Sequence, residues 1–326
     1  MSDAGPEQLA SFARAALPAH GLAPDAPLAL LNVSENATFA VDDPGSGDRS
    51  VLRVHRTGYH SRAAIESELD WIAALRADDV VSTPPVLPSR AGDRVVTVTA
   101  GGEERHVVRF AWVAGEEPAG ERLGADFRRL GEMTARLHAH ALRWRPPPGF
   151  TRFRWDYETS IGPRGHWGRW QDGLGIGPAE LSQLTRLDHL LSRRLAAFGT
   201  GPDRFGLVHA DLRLANLLVA GDAVHVIDFD DCGFGWLLYD LGSALSFIED
   251  DPRVPELVDA WVAGYTGVRS LLPAELAELP TFVMLRRLLL VAWIGSHADT
   301  DLARDMGSGY TAGTCDLAED YLARLG

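Results

Sequence analysis

The sequence predicts an α/β (α+β) fold of two lobes, a small β-rich lobe over residues 1–114 and a larger, mostly helical lobe over 115–326. Three observations predict it. The first third of the chain alternates apolar and polar positions in short runs separated by turn residues, the pattern of antiparallel strands. The remainder carries apolar residues at helical spacing in longer segments. Between the two, an apolar strand runs into Val113-Ala114-Gly115-Glu116-Glu117-Pro118, an acidic stretch punctuated by glycine and proline of the kind that joins lobes. At 326 residues the chain is long enough for two lobes with a cleft between them.

In the first lobe, Leu28-Val33 and Thr38-Val41 are expected strands flanking a tight polar turn, Ser34-Glu35-Asn36-Ala37. A second turn at Asp43-Pro44-Gly45-Ser46-Gly47 leads to a strand over Ser50-His55. Residues two apart on a strand share a face, so Val51 and Arg53 point together, with His55 on the same side. A helix from Ser61 to Ala77 follows, with Ile65, Glu68, Leu69, Ile72 and Leu75 along one side and Glu66 elsewhere. A charge on an apolar stripe needs a partner, and Arg53 is the natural one for Glu68. The competing reading is a glutamate that reaches solvent along its own stem. Strands at Arg94-Thr99 and His106-Trp112 complete this lobe.

The second lobe opens with a helix over Ala125-His140, whose apolar side is Phe127, Leu130, Met133, Thr134 and Leu137. His138 and His140 lie two apart, on different faces, which favours packing or solvent roles over a shared metal. Residues 143–177 set Trp144, Trp155, Tyr157, Trp167 and Trp170 among Arg152, Arg154, Arg164 and Arg169. This segment either lines an acceptor site, with aromatics stacking on a ring and arginines fixing an anion, or packs a loop-rich stretch onto the lobe. A helix over Pro178-Phe198 follows, and helices punctuated by proline and glycine fill the chain beyond Leu241.

The chemistry concentrates between Leu207 and Leu241. His209-Ala210-Asp211 emerges from an apolar strand, Asn216 follows five residues after Asp211, and a two-strand hairpin turning at Gly221-Asp222 ends on Asp228-Phe229-Asp230. Moving a phosphoryl group from ATP needs a carboxylate beside the attacking hydroxyl and oxygen ligands for magnesium on the phosphates. Asp211 is the candidate base, and Asn216 and Asp228 are the candidate Mg2+ ligands. A surface hairpin whose polar residues cap turns is the bland alternative.

These segments, HADLRLANLLV and VIDFDDCGFGWLLYDLGSAL, resemble the aminoglycoside phosphotransferase and choline kinase superfamily, nearest in character to its homoserine-kinase-like and stress-response-kinase-like branch. The resemblance implies a protein-kinase-like fold that uses ATP and Mg2+. It also implies a first hairpin, with Ser34 and Asn36, lying over the phosphates, and Val51 against adenine. The backbone at Ala111 and Val113 would hydrogen-bond the base. Arg53 occupies the family's lysine position, paired with Glu68. The chain has no lysine at all, so its 31 basic residues are arginines, and an arginine takes that role or the role is vacant. His55 is the fallback. Asp230 either adds a water-mediated magnesium contact or faces solvent or caps a turn. Asp240, opening a helical run, is expected to brace the catalytic loop through backbone N–H groups, and His209 to support that loop.

Composition bounds the partners. A net charge of −14 argues against nucleic acid and suits a cationic substrate, though it is also ordinary for a soluble protein. Two cysteines far apart suggest no disulfide framework, and MSDAGPEQLA has no signal-peptide character, so a cytoplasmic location is expected. No membrane span is expected either, the best apolar stretch being broken by Arg286-Arg287. The expected acceptor is a small-molecule hydroxyl: an aminoglycoside-like antibiotic, an amino sugar or a hydroxy-amino acid. A protein serine or threonine, a nucleotide other than ATP, and a nucleotide-binding pseudokinase prompted by the missing lysine are the alternatives. The sequence carries no signal for an oligomeric state.

Overall fold

The computed structural model describes residues 5–33, 36–118, 120, 122–221, 223–298 and 300–326. In chain order, the early elements are α1 Pro6–Ala16, β1 Leu28–Val33, β2 Ala37–Asp42, β3 Arg49–Val54, α2 Arg62–Ala77, β4 Val95–Ala100 and β5 Glu103–Ala111. Next come α3 Leu123–Ala141, β6 Phe153–Trp155, α4 Tyr157–Ser160, α5 Pro178–Phe198, β7 Phe205–Val208, β8 Leu217–Ala220, β9 Ala223–Val226 and β10 Gly233–Trp236. The chain ends with α6 Tyr239–Ala244, α7 Val254–Thr266, α8 Pro273–Leu276, α9 Leu279–Ser296 and α10 Asp301–Leu325. These residues form two compact units. The first runs to Glu116 and also takes Arg145–Arg152 and Leu218–Asp230; the second holds the rest.

The first unit is built on a five-stranded antiparallel sheet in the order β1-β2-β3-β5-β4. Its core is sealed by α1, which is not among the elements expected from the sequence. Pro6 at its first turn fits a helix start. Leu9, Phe12, Ala13 and Ala16 pack with Phe39, Val41, Leu52, Val54 and Val107 in one buried cluster. Ser61 caps α2, its hydroxyl accepting from the Ala64 N–H at 3.2 Å. After β5 the chain meets β8: Glu116 and Val219 exchange backbone hydrogen bonds of 3.0 and 2.8 Å. Gly115, at φ 152°, permits that approach, since a Cβ there would lie 3.0 Å from the Leu218 backbone.

In the second unit α3 and α7 cross at glycines. A Cβ on Gly131 would sit 2.0 Å from the Trp261 carbonyl oxygen, and one on Gly264 would sit 1.8 Å from that of Arg128. A three-stranded sheet, β6-β10-β7, lies in the same unit, parallel between β6 and β10 and antiparallel between β10 and β7. The stretch Pro273–Ser296, which includes α9, is long and apolar enough to span a membrane by composition, contrary to the sequence expectation. However, 72% of its most apolar window is buried in the fold, as befits a core helix. Trp155, Trp167 and Trp170 of the aromatic segment are also buried. Tyr157 and Trp170 both donate to Asp188 on α5, at 2.7 and 3.2 Å, so these side chains pack that segment down.

Candidate functional site

Each compact unit holds one group of candidate residues. In the first, β3 presents Arg53 and α2 presents Glu68, both buried. The Nη2 of Arg53 donates to both carboxylate oxygens of Glu68, at 2.6 and 2.7 Å. Its Nη1 lies 3.7 Å from Oδ1 of Asp228. One guanidinium therefore spans two carboxylates from different segments, which a single ammonium would do less well. Burial pulls the Arg53 pKa down, but the charges of Glu68, Asp230 and Asp228 more than offset it, and the group stays cationic. Its guanidinium also sits 5.2 Å from the Phe110 ring centroid.

Asp230, two residues on, is buried, which overturns the solvent-facing reading. Its carboxylate lies 3.6 Å from Nδ1 of His55 and 3.6 Å from Nε2 of His60. Burial raises the Asp230 pKa, and His60 and Arg53 pull it back well below the usual carboxylate range. Burial and then the Arg53 charge push His55 well below its ordinary value, so that imidazole is neutral. His55 thus neighbours the Asp230 carboxylate as a neutral ring, unsuited to the phosphate-anchoring fallback role.

The second unit holds Asp211 and Asn216 together. The Asn216 amide nitrogen donates to the Asp211 carbonyl and to its Oδ2, both at 2.8 Å. This engagement leaves the amide oxygen as the end suited to a hard cation. Arg286, from α9, donates to Oδ1 of Asp211 at 2.7 Å and to the Ala210 carbonyl at 3.1 Å. The same guanidinium reaches Tyr239 and Ser246, both at 2.9 Å, and lies 5.2 Å from the Trp167 ring. Asp240 accepts from the N–H groups of His209 and Ala210, at 3.2 and 2.8 Å, and from His138 at 3.0 Å. His209 is fully buried, its Nδ1 3.4 Å from the Asp211 N–H. Two of the non-glycine residues with positive φ belong to these groups, Asp228 at 61° in the first unit and Ala210 at 68° in the second. Such backbone persists only where surrounding contacts over-determine it.

The other expected contacts are distributed as follows. Asn36 is buried, and its Oδ1 accepts from the Arg56 N–H at 3.1 Å, tying the first hairpin to the end of β3. Val51 is half-buried on β3, two residues before Arg53. The Ala111 N–H donates to the Pro85 carbonyl at 2.8 Å, and Val113 is half-buried in the irregular stretch after β5. Ser34 lies outside the described residues. Among the described residues no group of three His, Cys, Asp or Glu side chains could hold a metal by itself. Sequence reasoning missed Arg286, noticed only as a break in an apolar run. The signal was present: a charge inside an apolar helix needs a partner, the argument that paired Glu68 with Arg53.

A family model described as "Phosphotransferase enzyme family" matches residues 29–279. The chain is similar to the solved microcompartment-associated aminopropanol kinase, with a TM-score of 0.91 and 52% identity over 97% of this chain and 98% of that one. It shares its fold with an amicoumacin kinase solved in complex with AMP-PNP, Ca2+ and Ami, at a TM-score of 0.78 and 24% identity over 96% and 94% of the two chains. The amicoumacin kinase of Bacillus subtilis strain 168 is 25% identical over 256 residues, 74% of this chain and 72% of that one. The protein-kinase-like α+β fold expected from the sequence is the one these neighbours share.

Proposed function

The chain belongs to the phosphotransferase enzyme family, and from that premise we propose that it transfers the γ-phosphoryl group of ATP to the hydroxyl of a small amino alcohol. The near full-length likeness to an aminopropanol kinase, at 52% identity, carries the choice of acceptor class. An aminoglycoside-sized acceptor has no comparable support. The acidic balance of the chain, −14, suits an acceptor that arrives as a cation.

Each residue group has a part in this reading. Asp211 accepts the hydroxyl proton as the oxygen attacks, and Arg286 and Asn216 fix its carboxylate from opposite oxygens. Asn216 and Asp228 supply oxygen donors for Mg2+, which fits a hard cation. Bound there, the metal would neutralise charge on the transferring phosphates. Arg53, held by Glu68, contributes positive charge to the same phosphates. Ala111 offers its carbonyl, since its N–H is engaged by Pro85, and Val113 offers its N–H to the base. Catalysis then rests on positioning and charge.

A coupled ADP-release assay with magnesium and ATP tests the acceptor. The panel is 1-amino-2-propanol, ethanolamine, choline, homoserine and one aminoglycoside. The expected result is a higher kcat/KM for the small amino alcohols than for homoserine or the aminoglycoside. Turnover of every amino alcohol at the hydrolysis background, or a tenfold preference for the aminoglycoside, would sink the proposal.

A further inference from the structure

Glu68 and Asp228 come from a helix and from a turn that follows a hairpin, yet one guanidinium reaches both. Something must hold α2 and that turn at a fixed separation. The structure shows three ties within the first unit. Phe229, between Asp228 and Asp230, meets Trp71 of α2 edge-on, with ring centroids 5.5 Å apart at 88°. The Asp230 carbonyl accepts from Nε2 of His60 at 2.8 Å and from Nη2 of Arg152. Arg152 then uses its other terminal nitrogen on the Ala64 carbonyl in the first turn of α2, at 2.9 Å. Its neighbour Thr151 donates its N–H to Ser67 of α2, also at 2.9 Å. Arg152 is buried, and its planar fork suits two carbonyls that belong to different segments.

We propose that Arg152 and His60 are positioning residues for phosphoryl transfer: by clamping the Asp230 carbonyl to the start of α2, they set the separation across which Arg53 contacts both Glu68 and Asp228. The inference rests on the nucleotide-side roles proposed above for Arg53 and Asp228. It assigns a function to one of the arginines within the aromatic segment, which the sequence left between anion binding and packing. It also accounts for residues 145–152 grouping with the first unit. The Asp230 carboxylate, between His55 and His60, adds a second hold on the same turn. Loosening the clamp lets the helix and the turn drift, and Arg53 then keeps Glu68, the shorter contact, and loses Asp228.

The test compares Arg152→Ala, His60→Ala and His60→Gln with the parent, in steady-state kinetics and in MgADP calorimetry. The expected result is a rise of tenfold or more in KM for MgATP and in Kd for MgADP with either alanine. The acceptor KM stays within twofold. Glutamine at position 60 retains an N–H donor near the place of Nε2 and returns both values to within about threefold of the parent. A merely structural loss would lower the active fraction and leave the KM values alone. His60→Gln as impaired as His60→Ala, unchanged nucleotide constants, or an acceptor KM that rises equally overturns the clamp. If the alanine variants fail to fold, His60→Gln against His60→Leu makes the same comparison. If the parent phosphorylates no amino alcohol, the proposed acceptor fails while the MgADP constants still decide the clamp. A parent that binds no MgADP overturns both.

Discussion

Replacing Glu68 with glutamine keeps the shape of the side chain and removes its charge, leaving the Arg53 guanidinium buried beside an amide. At a separation near 4 Å between charge centres and an effective dielectric constant of about 20, the pair is worth roughly 4 kcal/mol. Breaking a buried pair from one side typically costs about 3–5 kcal/mol. Asp228, 3.7 Å from Nη1, still balances part of the charge, so the lower end, about 3 kcal/mol, is expected for Glu68→Gln. Urea unfolding followed by tryptophan emission reads that loss. In the assay, an anchor no longer held should lower kcat/KM for ATP about 10–100-fold, or about 1.4–2.7 kcal/mol. The double variant Arg53→Met/Glu68→Leu separates the two effects: it removes both desolvated charges, so it should recover most of the stability and none of the activity. A loss in Glu68→Gln no larger than about 0.5 kcal/mol, the scale of an exposed pair, would refute the reasoning. So would a double variant that phosphorylates like the parent.

Asp211→Asn should lower kcat by about 10²–10⁴, the usual worth of a general base, while the calorimetric Kd for MgADP stays within twofold; a tenfold change in that Kd would place Asp211 on the nucleotide instead. His20 is buried, and burial followed by the Arg109 charge lowers its pKa from 6.5 to about 4. The unfolded chain therefore binds the extra proton first, and the stability His20 contributes is complete above pH 6.5 and declines as pH falls to about 4. At about 1.4 kcal/mol per unit this amounts to roughly 3 kcal/mol, and His20→Gln should flatten the stability–pH curve in that window. A curve of unchanged slope contradicts it. Gly264→Ala places a methyl 1.8 Å from the Arg128 carbonyl oxygen and should destabilise by about 1–3 kcal/mol, visible as a lower melting temperature. An unchanged melting temperature would mean that α3 and α7 separate without cost.

What the sequence made legible was local. Helical periodicity put Glu68 on the buried side of α2, and strand alternation put Arg53 on a shared face with Val51; two short-range rules brought the pair within reach of each other. Asp240 was readable for the same reason: an acid opening a helix looks for backbone donors, and it finds those of His209 and Ala210. Asp230 was not, because nothing in DFDD says which of three aspartates turns inward. That depends on His55 and His60, 170 or more residues upstream. Arg152 and Arg286 were equally hidden, since the carbonyls and carboxylate they hold lie in distant segments that no local period relates. The helix α1 escaped because its apolar face, Leu9, Phe12, Ala13 and Ala16, is short and small, and becomes evident only against the sheet it covers.

The arginine on β3 also fixes how the protein meets reactive chemistry. With no lysine anywhere in the sequence, primary amines are confined to the chain's N-terminus. Under the role proposed for Arg53, acyl-phosphate nucleotides, which hand their acyl group to an amine beside the bound phosphates, would meet a guanidinium that stays protonated and does not attack. Profiling methods built on such probes would pass this kinase by, and so would inhibitors designed to capture a lysine covalently. Amine-directed coupling, by contrast, would attach the molecule through one end of its chain and leave every side chain of the site unmodified.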